Sequence, residues 1–419
     1  MPLPATLRAL RSRDFRLFFA GQLISLIGTW LQNVAESWLV YRLTGSSVKL
    51  GLVSFCSLIP VFIMSPAGGI VADRFSRRHV IIATQTASMI LAFVLSILTL
   101  TGLVRIWHLF VLAALLGVVN GFDIPARQAF IIDMVGRADL MNAIALNSAM
   151  FNASRTVGPA VAGILVATIG EGWCFFANAV SYIAVIAGLM MMRVTRHERM
   201  PSASAVADIV EGFRFVLHKA PIHALLMLLG VLSLTGMPFT VLMPIFADRI
   251  LHGGPQGLGL LMGVSGAGAV AGALLLATRQ SVSGLGKWVA VSSAGFSVFL
   301  IMFAFSRVFW LSVLLQAPIA FCMMISMGSS NTLIQTMSPD NLRGRVMAVY
   351  SMMFMGMAPI GALLAGVAAD KIGAPWTVAG GGVICLLASG AFARWLPHLR
   401  AEARQLIVAQ QLAGVDPPA

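Results

Sequence analysis

Long apolar segments recur along almost the whole chain, and they restrict the possible folds more than any other feature of the sequence. Of the 419 residues, 58% are hydrophobic and only 10% are charged, whereas a soluble globular domain has about 25% charged residues. A membrane-spanning helix needs about 20 mostly apolar residues. Twelve segments fit this length: 16–41, 50–72, 79–102, 107–134, 142–168, 173–192, 221–248, 257–278, 287–305, 309–337, 344–369 and 375–396. The sequence therefore predicts an all-α integral membrane protein with twelve transmembrane helices.

Basic residues are distributed unevenly between the loops. The formal net charge of +13 is compatible with nucleic-acid binding, but the positive charges gather before the first apolar segment, after the sixth and after the twelfth. Cytoplasmic loops of membrane proteins carry an excess of Lys and Arg. We therefore expect both termini and the loop 193–220 in the cytoplasm, and no nucleic-acid partner.

A short polar stretch at residues 69–78 separates the second apolar segment from the third. It contains three arginines, Arg74, Arg77 and Arg78. These charges predict a tight cytoplasmic turn. Gly69 has no side chain, so we expect a neighbouring helix to approach closely there, and Asp73 at a helix end can face the positive N-terminus of another helix. A generic basic loop explains the arginines but requires neither Gly69 nor Asp73.

This stretch resembles the signature loop of the major facilitator superfamily, Gly-x-x-x-Asp-Arg/Lys-x-Gly-Arg/Lys-Arg/Lys, with Ser76 in place of the second glycine. A second stretch resembles the antiporter signature of the same superfamily, Gly-Pro-x-x-Gly-Gly, at Gly158, Pro159 and Gly163. Further segments resemble the branch of bacterial siderophore and macrolide exporters: Asp14-Phe-Arg16, Leu140-Met-Asn-Ala143 and Gly212-Phe-Arg-Phe215. The resemblance spans about residues 10–395.

The resemblance implies two pseudo-symmetric six-helix bundles in a bacterial inner membrane. It implies a secondary active transporter that exports small amphipathic molecules (siderophore, macrolide or drug-like) by proton-coupled alternating access. Its expected partners are a small-molecule substrate, protons and membrane lipids, and it is expected to be a monomer. Motifs for ATP binding and common hydrolases are absent from the sequence, so we expect neither an enzyme nor a bound cofactor or metal. Two alternatives remain open: a lysolipid transporter or flippase of the same fold, and a membrane sensor or scaffold that does not transport.

The predicted domains follow from the apolar segments. Residues 1–192 form an N-terminal six-helix bundle, residues 221–396 a C-terminal one, and residues 397–419 a cytoplasmic tail. Weak internal repetition supports two halves, since Gly158 and Gly163 have counterparts in Gly361 and Gly366. Residues 193–220 form a cytoplasmic linker, in which apolar positions at helical spacing predict an amphipathic helix at 206–217.

Two carboxylates lie inside predicted transmembrane helices, Glu36 on the first and Asp123 on the fourth. Charges there are costly and usually face a cavity or a partner, so both are candidates for proton coupling. Glu36 is also compatible with an interfacial carboxylate near Arg42. Arg155 on the fifth helix is a possible partner of Asp123 that would keep it charged. The choice between the two acids stays open, and the resemblance, which points to the first helix, favours Glu36.

A gate and a cavity are also implied by the resemblance. In relatives a carboxylate at the position of Asp133 bonds the signature loop, so we expect it to pair with Arg77. Arg343 and Arg345 open the eleventh helix and are expected near Asp73, which completes a charged gate at the inner face. The residues expected to line the substrate cavity are Gln32, Asn33, Asn120, Arg127, Arg155, Gly158, Pro159 and Gln335. The arginine of a further superfamily signature is missing, because Gly117 occupies its position, and whether Arg127 substitutes for it stays open.

Overall fold

The structure is a computed structural model that describes residues 5–193, 205–279 and 281–413. A short 3-10 helix, Ala5–Arg11, precedes thirteen α-helices. These are α1 (Arg13–Thr44), α2 (Ser47–Arg74), α3 (Arg77–Leu100), α4 (Ile106–Ile169), α5 (Glu171–Met191), α6 (Ala205–His218), α7 (Ala220–Val231), α8 (Met243–Ile245), α9 (Gly254–Ala277), α10 (Leu285–Phe305), α11 (Phe309–Met337), α12 (Asp340–Ile372) and α13 (Ala374–Ala413). Within the described ranges, eleven helical segments are long and apolar enough to cross a membrane.

The ends of α1 show why its sequence forms one separate helix. The Ser12 hydroxyl accepts the Phe15 N–H at 3.3 Å and caps the first turn, which leaves fewer unpaired backbone donors. At the other end, Gly45 has a φ of +59° and donates its N–H to Tyr41 O at 2.7 Å. This left-handed geometry is readily adopted by glycine and stops the helix.

The fourth and fifth predicted helices are joined in α4, which has 64 residues. A loop was expected at residues 135–141, but only Gly136 leaves the helical conformation, with φ +69° and ψ 179°. This region of backbone space is essentially restricted to glycine. An uninterrupted helix of this length would reach about 96 Å, so the single glycine replaces the expected loop as the point where the chain changes direction.

The predicted seventh helix, residues 221–248, forms one helical span, Ala220–Ile250, with irregular turns inside it. After α7 the chain forms a π-helical turn at Leu232–Gly236, a 3-10 turn at Met237–Thr240, the short α8 and a second π-helical turn at Phe246–Ile250. Pro238 and Pro244 cause the irregularity, because proline removes a backbone donor and clashes with the preceding turn. The predicted span is confirmed, since Ala220–Ile250 is helical, long and apolar enough to cross a membrane, but its interior is irregular.

The described chain divides into two compact units. The first contains Met1–Pro201 and Met243–Gly266, and the second contains Ser202–Leu242 and Ala267–Ala419. The first unit thus includes Met243–Gly266, a segment that the sequence analysis assigns to the C-terminal bundle. The chain passes from the second unit into the first inside the irregular segment, between Leu242 and Met243.

Each unit has its own apolar core, and the remaining apolar side chains face outward. In the first unit Phe15, Phe18 and Phe130 are at most 2% exposed and pack in one cluster. In the second unit Phe296 and Leu300 on α10 are buried, and a side chain at Gly236 would lie 2.7 Å from the Phe296 ring. The many exposed apolar residues on the long helices fit a surface solvated by lipid.

Two further segments lie at the ends of the predicted C-terminal half. The predicted amphipathic segment 206–217 is helical as part of α6, and Gly212 packs against Arg345, whose carbonyl oxygen would lie 2.7 Å from a Cβ at that position. The last helix, α13, continues through Pro397 to Ala413, so residues 397–413 of the predicted tail are helical. Positions 194–204 of the predicted linker lie outside the described residues.

Candidate functional site

Asp123 lies at the centre of a buried polar site in the first unit. It is 1% exposed, and its Oδ1 accepts hydrogen bonds from Thr84 Oγ1 at 2.8 Å and Gln85 Nε2 at 2.9 Å, both on α3. Its Oδ2 lies 2.5 Å from Nη2 of Arg127, one turn further along α4. One cation and two neutral donors therefore compensate the charge, which is what a buried carboxylate requires. Thr84 and Gln85 are not among the predicted site residues, although two adjacent polar residues in an apolar segment are a usable signal.

Arg155, the alternative partner for Asp123, does not form this pair. Arg127 takes the position because residues four apart on one helix are neighbours. Arg155 is partly buried in the second part of α4, and no ion pair joins it to a described residue. Its guanidinium is therefore a positive charge without a matching acid in the described chain.

Glu36 lies on α1 in different surroundings. Its partner is the side chain of Gln32, one turn earlier, and Gln32 Oε1 accepts a hydrogen bond from Asn178 Nδ2 on α5 at 2.6 Å. Over the described ranges no cation lies within ion-pair distance of Glu36. A proton can therefore join or leave this carboxylate without the rupture of an ion pair.

The other predicted cavity residues are divided between the two units. The first unit contains an exposed Asn33, a partly buried Asn120 and the buried pair Gly158 and Pro159. Gln335 lies on α11 in the second unit, where its Nε2 donates to Asn331 Oδ1 at 2.6 Å on the same helix.

Arg77 is the centre of a charged cluster at the end of α2, which we call the inner cluster (Asp73, Arg77 and Asp133). Its Nη1 lies 3.2 Å from Asp133 Oδ1 and donates to the Ala129 carbonyl at 2.5 Å. Its Nη2 lies 3.6 Å from Asp73 Oδ1. The three charged side chains are thus brought together, as the sequence predicts.

The remaining arginines of the signature loop have different surroundings. Arg78 donates hydrogen bonds to the Leu189 and Met190 carbonyls at 2.7 and 2.8 Å, which ties the loop to the end of α5. Arg74 is exposed at the last position of α2. This exposure leaves Arg74 free to interact with lipid phosphates.

The close helix approach expected at Gly69 occurs at Gly68 instead. A Cβ at Gly68 would lie 2.1 Å from the Gly121 carbonyl oxygen on α4, whereas a Cβ at Gly69 would meet no described atom within 4 Å. Adjacent helix positions point about 100° apart, so only one of two consecutive glycines can face the neighbouring helix. The structural reason given for Gly69 is therefore wrong.

Arg343 and Arg345 belong to the second unit. Arg345 forms an ion pair with Glu211 of α6, and Arg343 Nε donates to the Gln335 carbonyl at 3.3 Å. Their expected place beside Asp73 stays a prediction.

A second polar cluster, the Tyr41 cluster (Tyr41, Asp248 and Arg249), joins the end of α1 to the π-helical turn after α8. The Tyr41 hydroxyl donates to Asp248 Oδ2 at 2.7 Å, and the Arg249 guanidinium lies 5.6 Å from the centre of the Tyr41 ring. Arg249 Nη2 also donates to the Gly45 carbonyl at 3.2 Å. These residues are about 200 positions apart in sequence, so no local pattern could reveal the cluster.

The antiporter-like stretch provides two close helix contacts in the first unit. Gly158 faces α1, where a Cβ would lie 2.5 Å from Trp30 Cβ. Gly163 faces Gly259 on α9, and a Cβ at Gly259 would lie 2.5 Å from the Pro159 carbonyl oxygen. Small residues allow such backbone contacts between helices in membranes.

Solved structures share this arrangement of helices. The structure of the nucleoside transporter NupG matches 94% of this chain and 98% of its own with a TM-score of 0.70 and 16% identity. A POT family transporter in complex with 5-aminolevulinic acid matches 93% of this chain and 97% of its own with a TM-score of 0.74 and 10% identity. At these identities the likeness concerns the fold alone.

Several curated proteins are similar over most of the chain. The staphyloferrin A transporter of Staphylococcus aureus is 26% identical over 379 residues, 88% of this chain and 94% of that protein. The multidrug efflux pump Tap of Mycolicibacterium fortuitum is 28% identical over 384 residues, 89% and 93% of the two chains. The enterobactin exporter EntS of Citrobacter koseri is 25% identical over 352 residues, 84% of each.

The family model described as transmembrane secretion effector, MFS_3, matches residues 4–414. With the long apolar helices and the transporter fold, this match confirms the resemblance seen in the sequence and identifies a multi-pass membrane transporter, not an enzyme. The chain belongs to the MFS_3 transmembrane secretion effector family of the major facilitator superfamily.

Proposed function

We propose that this protein exports small amphipathic molecules, of the siderophore, macrolide or drug-like class, in exchange for protons and by alternating access. The similar proteins are named for a siderophore, for drugs and for export, which supports this substrate class and direction. The observation that carries the coupling mechanism is the contrast between Glu36, which has only an amide partner, and Asp123, which has a cation.

Glu36 is the proposed proton carrier. A carboxylate that must load and release a proton in each cycle needs a neutral state that the protein tolerates, and amide neighbours such as Gln32 can bond both states. Asp123 is the proposed structural acid, since protonation would leave the adjacent Arg127 without its counter-ion. We propose that Asp123, through Arg127 on its own helix and Thr84 and Gln85 on α3, keeps α3 and α4 together during the cycle.

The proposed topology has twelve membrane crossings in two six-helix halves. In it α4 crosses twice, on either side of Gly136, because residues 106–135 and 137–169 form about 45 Å and about 50 Å of helix against a hydrocarbon core of about 30 Å. Both termini and the linker 193–220 lie in the cytoplasm of a bacterium, and the protein resides in its inner membrane. The concentration of basic residues in these segments supports the orientation.

The inner cluster is the proposed cytoplasmic gate. Arg77, the first residue of α3, is 10% exposed in its side chain and pairs with Asp73 on α2 and Asp133 on α4, so these contacts depend on the relative positions of the three helices. We propose that Arg343 and Arg345 contribute to the gate when the cytoplasmic side is closed.

The Tyr41 cluster and the Gly163–Gly259 contact form the proposed gate at the opposite side. Both tie Met243–Gly266 to helices near the N-terminus, although this segment follows the linker in sequence. Release of this segment is the proposed step that opens the outer side.

The surroundings of Arg155 favour a substrate that carries an anionic group. A partly buried guanidinium without an acid among the described residues can bond a carboxylate or phenolate in two places. We propose that it recognises such a group, so that acidic siderophores are transported better than cationic dyes.

The experiment is transport into inside-out proteoliposomes that contain the purified full chain. An imposed pH gradient, acidic inside, should drive uptake of a labelled carboxylate siderophore, and a proton ionophore should abolish this uptake. The substitution Arg155→Gln should reduce siderophore uptake more than uptake of a cationic dye. A substrate panel without any gradient-driven uptake would contradict the proposal, and uptake of labelled lysolipid alone would identify a lysolipid transporter instead.

A further inference from the structure

A cavity of about 800 Å³ lies within the second unit. It is bounded by α7, the loop before α10, and the ends of α11 and α13. Its inner wall is apolar and consists of Leu225, Leu333, Met337, Phe392 and Leu396. This volume is typical of small-molecule sites, which measure roughly 300–1,000 Å³.

Cations surround this apolar wall. Lys287, Arg400 and Arg404 line the cavity and are exposed. Its described lining contains no acidic residue, and none of these three cations forms an ion pair with a described residue. Three positive charges without a counter-ion create a positive potential, which attracts an anion.

The backbone at the start of α10 adds to this potential. Ser281, Ser283 and Gly284 line the cavity just before the helix begins at Leu285. Gly284 has a φ of +79°, and no side chain caps the first turn of this 21-residue helix. A helix N-terminus carries a partial positive charge that attracts phosphate; the N–H groups of Leu285 and Lys287 already donate to the Val282 and Gly284 carbonyls, so this end of α10 adds potential more than free donors.

Tryptophans place this cavity near the boundary between lipid tails and headgroups. Trp395, next to the lining residue Leu396, is 65% exposed. Trp288, next to Lys287, is stacked by Arg279, whose guanidinium lies 4.8 Å from the ring centre. Tryptophan is enriched at this boundary in membrane proteins, and basic pockets between helices on the cytoplasmic side bind anionic headgroups.

We propose that this cavity is a binding site for an anionic phospholipid of the surrounding bilayer. The headgroup phosphate lies at the start of α10, where it bonds Lys287 of α10 and Arg400 and Arg404 of α13. An acyl chain lies along the apolar wall. The site belongs to one unit and contains no residue assigned to transport, so its occupant is a bound lipid and not the exported substrate.

The test measures lipid binding to the purified full chain in detergent by native mass spectrometry and thermal unfolding. The probes are dioleoyl phosphatidylglycerol, dioleoyl phosphatidylcholine and inorganic phosphate. The triple variant Lys287→Gln/Arg400→Gln/Arg404→Gln removes the cations. A control with the same charge change, Arg214→Gln/Arg307→Gln/Arg394→Gln, alters exposed arginines of the same unit outside the cavity.

Phosphatidylglycerol should bind the wild type and the control in preference to phosphatidylcholine. The triple variant should bind it about a hundredfold more weakly, at about fivefold per removed charge. Ala403→Trp, which fills the cavity without a change of charge, should also abolish binding. Unchanged phosphatidylglycerol binding in the triple variant, equal binding of phosphatidylcholine, or full competition by inorganic phosphate would each overturn the proposal.

Discussion

At the residue scale, the partners of a buried carboxylate determine what it can do. Asp123 has Arg127, Thr84 and Gln85 as partners, one cation and two neutral donors. Glu36 has Gln32, an amide that can donate to a carboxylate and accept from a carboxylic acid. The two acids are therefore suited to different roles, structural for Asp123 and exchangeable for Glu36.

The structural role of Asp123 leads to a stability prediction. Asp123→Asn should destabilise the fold by about 1–3 kcal/mol, because it leaves Arg127 without its counter-ion. Thermal unfolding in detergent would measure the effect. The double variant Asp123→Asn/Arg127→Gln should recover part of the loss, and an Asp123→Asn protein as stable as the wild type would contradict this role.

The adjacent glycines of the signature loop offer a matched pair of substitutions. Gly68→Ala should destabilise the protein by about 1–3 kcal/mol, because its Cβ would collide with the Gly121 carbonyl and force α2 away from α4. Gly69→Ala should be tolerated, since that position has open space. Expression level and thermal midpoint of the two variants compare them directly, and equal effects would disprove the assigned helix contact.

Contacts that belong to a sequence motif were predictable at this scale, but the neighbouring helix that a given residue faces was not. The pairing of Arg77 with Asp133 follows from a motif. The close helix approach occurs at Gly68 and not at Gly69 because of the rotation of α2 about its axis. Asp123 pairs with Arg127 and not with Arg155 because of the packing of α4. Both depend on tertiary contacts that one helix sequence does not contain.

At the scale of the helices, the sequence predicted apolar spans well and their interruptions poorly. Periodicity and length place α2, α3, α5 and α10 within a few residues. The irregular turns inside the predicted seventh helix carry a visible signal in Pro238 and Pro244, yet proline also occurs inside regular helices here, such as Pro60 in α2. The surrounding packing therefore decides whether a helix stays regular at a proline or becomes irregular there.

The contact between α4 and α9 leads to a prediction on gating. Gly259→Ala places a Cβ 2.5 Å from the Pro159 carbonyl and should separate the two helices, which favours the outward-open state. Spin labels on Ser46→Cys and Arg307→Cys in a cysteine-free background should then show a longer distance. Transport should fall as well, since the outer gate no longer closes.

A control for this prediction lies one turn further along α9. In Gly263→Ala the new Cβ would lie 3.2 Å from Ala160 Cβ and 3.3 Å from the Thr156 carbonyl oxygen, both milder than the 2.5 Å contact at Gly259. Its spin-label distance should match that of the wild type. An identical distance in both variants and the wild type would remove the gating role of this contact.

At the scale of the whole molecule, the proposed orientation is open to a labelling test. Ser202→Cys in the linker should resist an impermeant thiol reagent added outside intact cells, because basic residues hold this loop in the cytoplasm. Arg307→Cys, in a predicted outer loop, should react and serves as the control. Labelling of Ser202→Cys with protection of Arg307→Cys would reverse the topology.

The central claim is that Glu36 carries the proton that drives export. The most direct measurement compares two modes of transport for Glu36→Gln in inside-out proteoliposomes: substrate counterflow without a gradient, and uptake driven by a pH gradient. In Glu36→Gln, counterflow should stay within about twofold of the wild type, because the glutamine keeps the bond to Gln32, and gradient-driven uptake should be lost. Normal gradient-driven uptake by Glu36→Gln would contradict the account, and the loss of that uptake in Asp123→Asn with its counterflow intact would assign the proton to Asp123.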